Sequence, residues 1–298
     1  MNNAPVASVI IPVLNGKATL GALLDALKAQ AGVPGHLEII VVDNGSTDCS
    51  AEIARSHGVG LLHQPVRGPS AARNLGLAHA QSEMILCTDA DTIPTRHWAA
   101  SLLAAFADPE VILATGPIYG WQRATGAERY ASTHRGYTRE RTAEHPLYPF
   151  AHGMNTAVRR KAAIEIGGWN ETMTSGEDLD FSIRLRRRYD KPFRFVDQAV
   201  MFHRHRSTDE GLWEQARWHG AGFAQVHRRH RGAMPSPHGQ MAISLAMIGV
   251  LHAAAPLVAI GRATHLFSGE RAEFERYHRQ WLRHFWAGFI EQWGKRPA

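Results

Sequence analysis

The sequence predicts an α/β fold in which a mostly parallel sheet is flanked by helices and followed by a helical C-terminal extension. Three observations support this prediction. Short apolar runs alternate with segments of helical periodicity in the first half of the chain. Such alternation is typical of parallel strands joined by right-handed crossovers. Turn-forming or acidic residues follow several of these runs, and long helical stretches follow residue 206.

The composition indicates a globular protein. The chain has 298 residues, 44% hydrophobic and 20% charged, which suffices for one large α/β domain or two smaller ones. Its net charge of +6 comes from 33 basic and 27 acidic residues. The arginines are clustered without a recognisable nucleic-acid-binding module, so we expect no nucleic-acid partner. A diphosphate ligand or an anionic lipid surface would use the same charge.

The N-terminus and the cysteines favour a cytoplasmic location. The apolar run Val6 to Leu14 is short, follows no basic region and is interrupted by Pro12. We therefore interpret it as a strand and not as a signal peptide. Cys49 and Cys87 are too sparse for a disulfide scaffold and fit a reducing cytosol.

Strand and helix patterns follow one another in order along the chain. The apolar runs predicted as strands are Ala7 to Leu14, Leu37 to Val42, Val59 to Gln64, Met84 to Cys87 and Val111 to Thr115. The helices predicted between and after them are Lys17 to Gln30, Ala51 to His57, a helix opened by Pro69 and Ser70, and a helix containing Trp98 to Phe106.

The pattern loosens in segment 116–150, which suits either an insertion lining a cleft or a surface excursion. Regularity returns at His152 to Arg159. An acidic cluster at Ser175 to Asp180 then opens a helix, and Phe193 to Phe202 predicts two short strands.

Two aspartates, Asp89 and Asp91, follow the predicted strand Met84 to Cys87. Open α/β sheets bind ligands at this edge. Carboxylates spaced i, i+2 can bind one hard cation, and Mg²⁺ or Mn²⁺ keeps few protein ligands when a diphosphate completes its shell. An isolated Asp-X-Asp more often forms a solvated turn, so the interpretation depends on a nucleotide pocket nearby.

Five ordered motifs supply that context. They are Pro12-Val13-Leu14-Asn15, Val42-Asp43-Asn44-Gly45-Ser46-Thr47-Asp48, Gly68-Pro69-Ser70-Ala71-Ala72-Arg73-Asn74, Asp89-Ala90-Asp91 and Gly176-Glu177-Asp178-Leu179-Asp180. With them the chain resembles the family 2 glycosyltransferases of the GT-A fold, from about Ala7 to Arg206. The match departs from one common version of the pattern at Asn44, where relatives often carry a second aspartate.

The resemblance implies a donor site for a nucleotide-diphosphate sugar. Pro12 and Leu14 would line the base pocket, and Asp43 would accept a hydrogen bond from the base. Arg73 would neutralise phosphate or orient the nucleotide. Asp89 would approach the ribose, with Ala90 beside the donor.

The resemblance also implies a divalent metal, Mn²⁺ or Mg²⁺. Asp91 would bind it, and His203 resembles the third metal-side ligand of many relatives. The sequence leaves open whether His203 or His205 takes this part, and any one of 18 histidines is more often a surface residue.

Transfer with inversion needs a carboxylate that accepts the proton of the acceptor hydroxyl. Asp178 matches the catalytic aspartate of the family. Glu177 would orient substrate or raise the Asp178 pKa by like-charge repulsion, although both acids also favour a helix N-terminus. Trp169 and Asn155 are expected on the acceptor side, while Trp169 could equally belong to the core.

We predict a catalytic domain at 1–206, divided into a nucleotide-sugar-binding half (1–116) and an acceptor-binding half (117–206), and a helical extension at 207–298. Met241 to Gly261 is uncharged and could just cross a bilayer. The basic residues on both flanks and Pro256 instead favour monotopic or re-entrant attachment. We expect membrane contact within 241–293 at the inner face of the cell membrane.

An aromatic stripe lies in the same tail at helical spacing, formed by Phe274, Tyr277, Trp281, Phe285, Phe289 and Trp293. It suits a membrane interface, and the rival interpretation is packing inside the protein.

The sequence therefore predicts an inverting, metal-dependent glycosyltransferase acting on a glycan, glycolipid or lipid-linked acceptor. A polyprenyl-phosphate sugar synthase is disfavoured because Asp91 is followed by Thr92-Ile93-Pro94 without an extended acidic signature. A non-catalytic protein that binds nucleotide sugar or RNA is the alternative from another class.

Overall fold

A computed structural model describes residues 4–134, 138–145, 148–232, 234, 236–263 and 269–295. Side chains at 251–252 and 254–263, within the predicted membrane segment, lie outside this description. The chain divides into two compact units. Unit 1 comprises Met1–Trp121, Tyr137–Met173 and Glu177–Arg204, and unit 2 comprises Gln122–Gly136, Thr174–Gly176 and His205–Ala298.

The strands found among the described residues belong to unit 1 and are short. They are β1 (Ala7–Val13), β2 (Leu37–Asp43), β3 (Gly60–His63), β4 (Met84–Cys87), β5 (Thr92–Pro94), β6 (Leu113–Thr115), β7 (Ile118–Gly120), β8 (Thr156–Arg159), β9 (Arg194–Phe195) and β10 (Met201–His203).

The larger sheet has the strand order β3-β2-β1-β4-β8-β6-β9. Strands β3, β2, β1 and β4 are parallel, as expected from the crossovers. Strand β8 runs antiparallel to both β4 and β6, which the strand-helix alternation did not reveal. A second, three-stranded sheet has the order β5-β10-β7. Strand β5, which begins directly after Asp91, was not predicted from the sequence.

The helices begin and end close to the predicted positions in the first half of the chain. They are α1 (Leu20–Lys28), α2 (Ser50–Ser56), α3 (Pro69–His79), α4 (Trp98–Ala104), α5 (Gly126–His134), α6 (Arg160–Glu165), α7 (Glu177–Tyr189), α8 (Asp209–Arg229), α9 (Pro237–Ala263) and α10 (Gly269–Gly294).

Unit 1 buries apolar side chains on both faces of the larger sheet. On one face Ile10 packs with Leu77 of α3 and Leu185 of α7. On the other, Ile11 packs with Leu24 of α1. Alternate residues of β1 thus enter different cores, as expected of a strand covered on both sides.

Unit 2 is helical, and its core is aromatic. Tyr277 and Trp281 of α10 are buried with Tyr130 of α5 and Leu212 of α8. The Tyr130 and Trp281 ring centroids lie 6.2 Å apart. Phe289 packs with Ala224 and Trp286 in a second cluster. Of the two interpretations of this stripe, packing inside the protein holds for Tyr277, Trp281 and Phe289, because protein side chains already remove these rings from water.

No helix within the described residues is long and apolar enough to span a bilayer. The first half of α9 is nevertheless apolar and exposed, with Ile243 at 66%, Leu245 at 54% and Val250 at 66% relative accessibility. Membrane contact through this helix stays a prediction.

Candidate active site

The predicted base pocket lies at the carboxyl ends of β1 and β2. The register of these parallel strands places Pro12 opposite Val42 and Val13 opposite Asp43. Asp43 is buried, and its Oδ1 accepts the Ser46 N–H at 3.0 Å. Leu14, just beyond β1, is 47% exposed. An apolar side chain exposed beside a buried carboxylate suits a flat, polar-edged ligand such as a nucleobase.

The loop after β1 is held in a strained conformation by the loop after β2. Asn15 has a φ of 56°, which is uncommon for a residue other than glycine. Its Oδ1 accepts the Thr47 N–H at 2.8 Å, and its own N–H donates to Ser46 Oγ at 3.0 Å. Such strain persists only where neighbouring contacts fix it, as at ligand sites.

Asn44 explains the departure from the family pattern. Its amide group donates to the carbonyls of Gln64 and Val66 at 3.0 and 2.6 Å, and its Oδ1 accepts the Gly68 N–H at 2.7 Å. An aspartate carboxylate has no hydrogen to donate and would face both carbonyls with negative charge. The asparagine therefore fixes the loop that leads into α3.

Asp91 lies with His203 in unit 1. The distance from His203 Nε2 to Asp91 Oδ2 is 3.4 Å, and the side chains are 9% and 39% exposed, respectively. The Arg204 N–H also donates to the Asp91 carbonyl at 2.9 Å. The structure thus places His203 beside Asp91, whereas His205 is grouped with unit 2.

The donor set fits a divalent cation that takes its remaining ligands from a diphosphate. A carboxylate oxygen and an imidazole nitrogen lie close together, and Asp91 is partly accessible. Among the described residues, no group of three or more His, Cys, Asp or Glu side chains is arranged to hold a metal ion.

Arg73 is buried and lies among three carboxylates, of which Glu177 is buried while Asp89 and Asp178 are partly exposed. It belongs to α3 and its side chain is 3% exposed. Nη2 donates to Asp89 Oδ1 at 2.9 Å, and Nη1 donates to Glu177 Oε1 at 3.1 Å. Nη1 also lies 3.7 Å from Asp178 Oδ1. These carboxylates raise the pKa of Arg73 against the opposing effect of its burial. Arg73 thus links the residues after β4 to the start of α7.

Asp178 has the properties of a base rather than of a simple helix-capping acid. Its pKa is raised to about 7, mainly by burial and also by Glu177 and Asp89, against the opposing effects of Arg73 and the Gly153 N–H. Its Oδ2 accepts that N–H at 2.7 Å. Its Oδ1 is buried and has no hydrogen-bond partner within the described residues. A carboxylate with a pKa near neutrality is matched to proton transfer at neutral pH.

Two predicted acceptor-side residues lie in the core instead. Asn155 is fully buried, accepts from Trp98 Nε1 at 2.8 Å and donates to the Ala199 carbonyl at 2.9 Å. Trp169 is 2% exposed and stacks on Phe181 of α7, with ring centroids 4.3 Å apart. Neither side chain has a surface for an acceptor, so both position neighbouring elements.

Sequence reasoning missed Gly153 and Asn74. Gly153 provides the N–H that binds Asp178, and Asn74, next to Arg73, accepts the Trp169 N–H at 2.8 Å through Oδ1. The Asn74 amide also donates to the Trp169 carbonyl at 2.8 Å. Asn74 belongs to the motif that begins at Gly68, but nothing in the sequence indicated that its side chain contacts Trp169. A lone glycine gave no signal.

Comparison with known proteins identifies the family. The model of glycosyl transferase family 2 matches residues 8–167. Pre-mycofactocin glycosyltransferase of Mycobacterium tuberculosis is 30% identical over 233 residues, covering 75% of this chain and 48% of that protein. The chain thus spans about half the length of this curated relative.

Two solved structures share the fold. The mannosyltransferase PcManGT from Pyrobaculum calidifontis, in complex with GDP-Man and Mn²⁺, has a TM-score of 0.68 at 22% identity over 97% of this chain and 88% of that chain. Glucosyl-3-phosphoglycerate synthase of Mycobacterium tuberculosis, in complex with Mn²⁺, UDP and glucosyl-3-phosphoglycerate, has a TM-score of 0.55 at 22% identity over 78% and 81% of the respective chains. The predicted GT-A fold is confirmed, and the chain belongs to glycosyl transferase family 2.

Proposed function

We propose that this protein is an inverting, metal-dependent glycosyltransferase that moves a sugar from a nucleotide-diphosphate sugar to an acceptor hydroxyl. One observation carries the proposal. The buried Arg73 contacts Asp89 of the donor motif, Glu177 and the candidate base Asp178. A donor held at Asp89 would therefore have a base nearby, as single-step transfer requires.

The nucleotide would bind at the ends of β1 and β2. Leu14 and Pro12 would contact one face of the base, and Asp43 would accept a hydrogen bond at its edge. Asp89 and Ala90 would lie beside the ribose and diphosphate. Support comes from the family match and from the buried Asp43 beside the exposed Leu14.

Asp91 and His203 would hold a Mn²⁺ or Mg²⁺ ion. When bound, such an ion neutralises the charge that develops on the departing diphosphate. The proposal is supported by the donor set of these residues and by the Mn²⁺ in the complexes of the two similar structures.

Asp178 would accept the proton of the acceptor hydroxyl. The hydroxyl oxygen then forms a bond to the sugar C1, the C1–phosphate oxygen bond breaks, and its electron pair leaves with the nucleoside diphosphate. Attack opposite the leaving group inverts the anomeric centre. Glu177 is already bound to Arg73, so we assign it to holding this arrangement.

The acceptor would be a glycan, glycolipid or lipid-linked molecule reached at the inner face of the cell membrane. The exposed apolar residues of α9 support peripheral attachment. We further propose that 1–206 forms the catalytic part, with the nucleotide-sugar-binding half at 1–116 and the acceptor-binding half at 117–206.

Thermal-shift measurements test the donor site. UDP-, GDP- and dTDP-sugars would each be added with Mn²⁺ or with a chelator, and a ligand at 100 times its Kd should stabilise the protein by ~2.7 kcal/mol. We expect at least one nucleotide sugar to raise the Tm only with Mn²⁺. Asp91→Ala should remove this rise, and Asp25→Ala, which changes an exposed aspartate of α1, serves as the matched control.

A rise that survives the chelator and Asp91→Ala would contradict the metal assignment. Absence of any rise with all three donors would contradict the donor site itself. Stabilisation without turnover in the presence of candidate acceptors would favour a protein that only binds nucleotide sugars.

A further inference from the structure

The two carboxylate oxygens of Asp178 have different environments. Oδ2 accepts the Gly153 N–H at 2.7 Å, whereas Oδ1 is buried and lies 3.7 Å from Arg73 Nη1. The side chain as a whole is 19% exposed. Oδ1 is closed off from solvent, which leaves Oδ2 as the oxygen that an acceptor hydroxyl could reach.

Gly153 lies where no side chain fits. A Cβ atom at this position would meet Arg73 Nη2 at 2.6 Å, Arg73 Cζ at 2.7 Å and Asp178 Oδ1 at 2.7 Å. The guanidinium is held by Asp89 and Glu177 and cannot move away without breaking those hydrogen bonds. The absence of a side chain at Gly153 therefore allows Arg73 and Asp178 to approach each other.

We propose that Gly153 and Arg73 are positioning residues for the base: the backbone N–H and the guanidinium hold the Asp178 carboxylate so that Oδ2 receives the acceptor proton. A carboxylate oxygen has two lone pairs, so Oδ2 can accept the N–H and the proton together. The inference rests on the proposed function, and it gives Arg73 a role different from direct phosphate binding.

The charged and titratable groups around Asp178 agree with this role. Arg73 of α3 and the Gly153 N–H favour the ionised form, whereas burial, Glu177 of α7 and Asp89 favour the protonated form. The Cys87 thiol, at the end of β4, is also close, and burial raises its pKa to about 12, so it stays neutral. Removing either favourable contact should therefore make the base harder to ionise.

The test uses Gly153→Ala and Arg73→Lys in the full chain, with Gly21→Ala as the matched control. A Cβ at Gly21, in α1, would meet no atom closer than 3.9 Å. Release of nucleoside diphosphate from UDP-glucose and GDP-mannose would be measured with Mn²⁺ between about pH 5 and 9, with water as the acceptor hydroxyl. Thermal shift with the same donors reports binding separately.

For Gly153→Ala we expect kcat to fall ~10- to 100-fold while the donor Kd changes less than ~3-fold. The acid limb of the pH profile should move to higher pH in this variant and in Arg73→Lys, and Gly21→Ala should match the wild type. If Gly153→Ala fails to fold, the position of the acid limb in the pH profile of Arg73→Lys tests the inference by itself.

Unchanged kcat and an unchanged limb in both variants would overturn the inference. Loss of donor binding in Arg73→Lys with no movement of the limb would also overturn it, because Arg73 would then act on the nucleotide. Asp178→Asn distinguishes an error in the proposed base from an error in the positioning role. If it turns over normally, the proposed base is wrong; if it is slow while Gly153→Ala and Arg73→Lys are normal, only the positioning role is wrong.

Discussion

The buried polar group around Arg73 and the aromatic cluster of α10 use burial in opposite ways. Arg73 is 3% exposed and faces three carboxylates, so much of the favourable ion pairing offsets the cost of removing charges from water. Tyr277 and Trp281 are 4% and 7% exposed and pack against other rings and aliphatic side chains. Burial of charge tunes a pKa, whereas burial of apolar rings stabilises the fold.

The comparison predicts different consequences for substitutions that preserve shape and substitutions that remove volume. In the polar group, a change of charge at constant shape should alter chemistry more than stability. In the aromatic cluster, lost volume should alter stability and leave the donor-site residues untouched. The predictions that follow test this separation, beginning with the largest expected effect.

Asp178→Asn keeps the shape of the side chain and removes the base. We expect transfer to fall by ~10²-fold or more while donor affinity stays within a few-fold of the wild type. Turnover and thermal-shift titration with the same nucleotide sugar measure the two quantities. Parallel loss of donor binding and turnover would move Asp178 from the base role to the donor site.

Trp281→Ala tests the other side of the comparison. Replacing a buried tryptophan by alanine typically costs ~3–5 kcal/mol, so the Tm should fall by several degrees. Trp218→Ala in α8 is the matched control, because Trp218 is 42% exposed. At a temperature where Trp281→Ala is still folded, donor binding should persist. An unchanged Tm would indicate that this ring is not part of a stabilising core.

The pH dependence of the wild type follows from the Asp178 pKa, which burial raises from 3.8 to about 7. Activity should fall ~10-fold per pH unit below that value, because the base must be ionised. For stability the sign is opposite. A raised pKa contributes stability at low pH that is lost as the pH rises through about 7.

Asp178→Asn should remove this dependence. Relative to wild type, the variant should become more stable as the pH increases from about 5 to 8, which differential scanning calorimetry would measure. A constant Tm difference across this range would show that Asp178 titrates normally in the folded protein.

The sequence revealed the fold class because β1, β2 and β4 are buried on both faces and read as continuous apolar runs. It also singled out Asp89, Glu177 and Asp178 through ordered motifs, and the structure brings these three side chains together around Arg73. The antiparallel β8 was missed because strand direction leaves no local trace in so short a strand. Gly153 was missed because its contacts depend on a backbone N–H and on the absence of a side chain.

The sequence left two interpretations of the aromatic stripe open for a related reason. Helical spacing shows that Tyr277, Trp281 and Phe289 share a face, but it does not show what covers that face. The residues that cover it come from α5 and α8, distant in sequence, and α5 lies in the segment whose pattern was loose. In α9, likewise, the apolar residues Ile243, Leu245 and Val250 are exposed, and their spacing does not show what contacts them.

The smallest expected effect concerns α9. If this helix lies on a lipid surface, the double substitution Ile243→Ser and Val250→Ser should weaken flotation with anionic vesicles by ~10-fold, because each buried apolar side chain contributes ~1.5–3 kcal/mol at most. Ile290→Ser in α10 is the matched control, since Ile290 is 58% exposed. High salt should release part of the bound protein, as basic residues add a screened attraction. Equal flotation of wild type and double variant, or none for either, would exclude lipid contact through these two residues, while the donor site in unit 1 would stand unaffected.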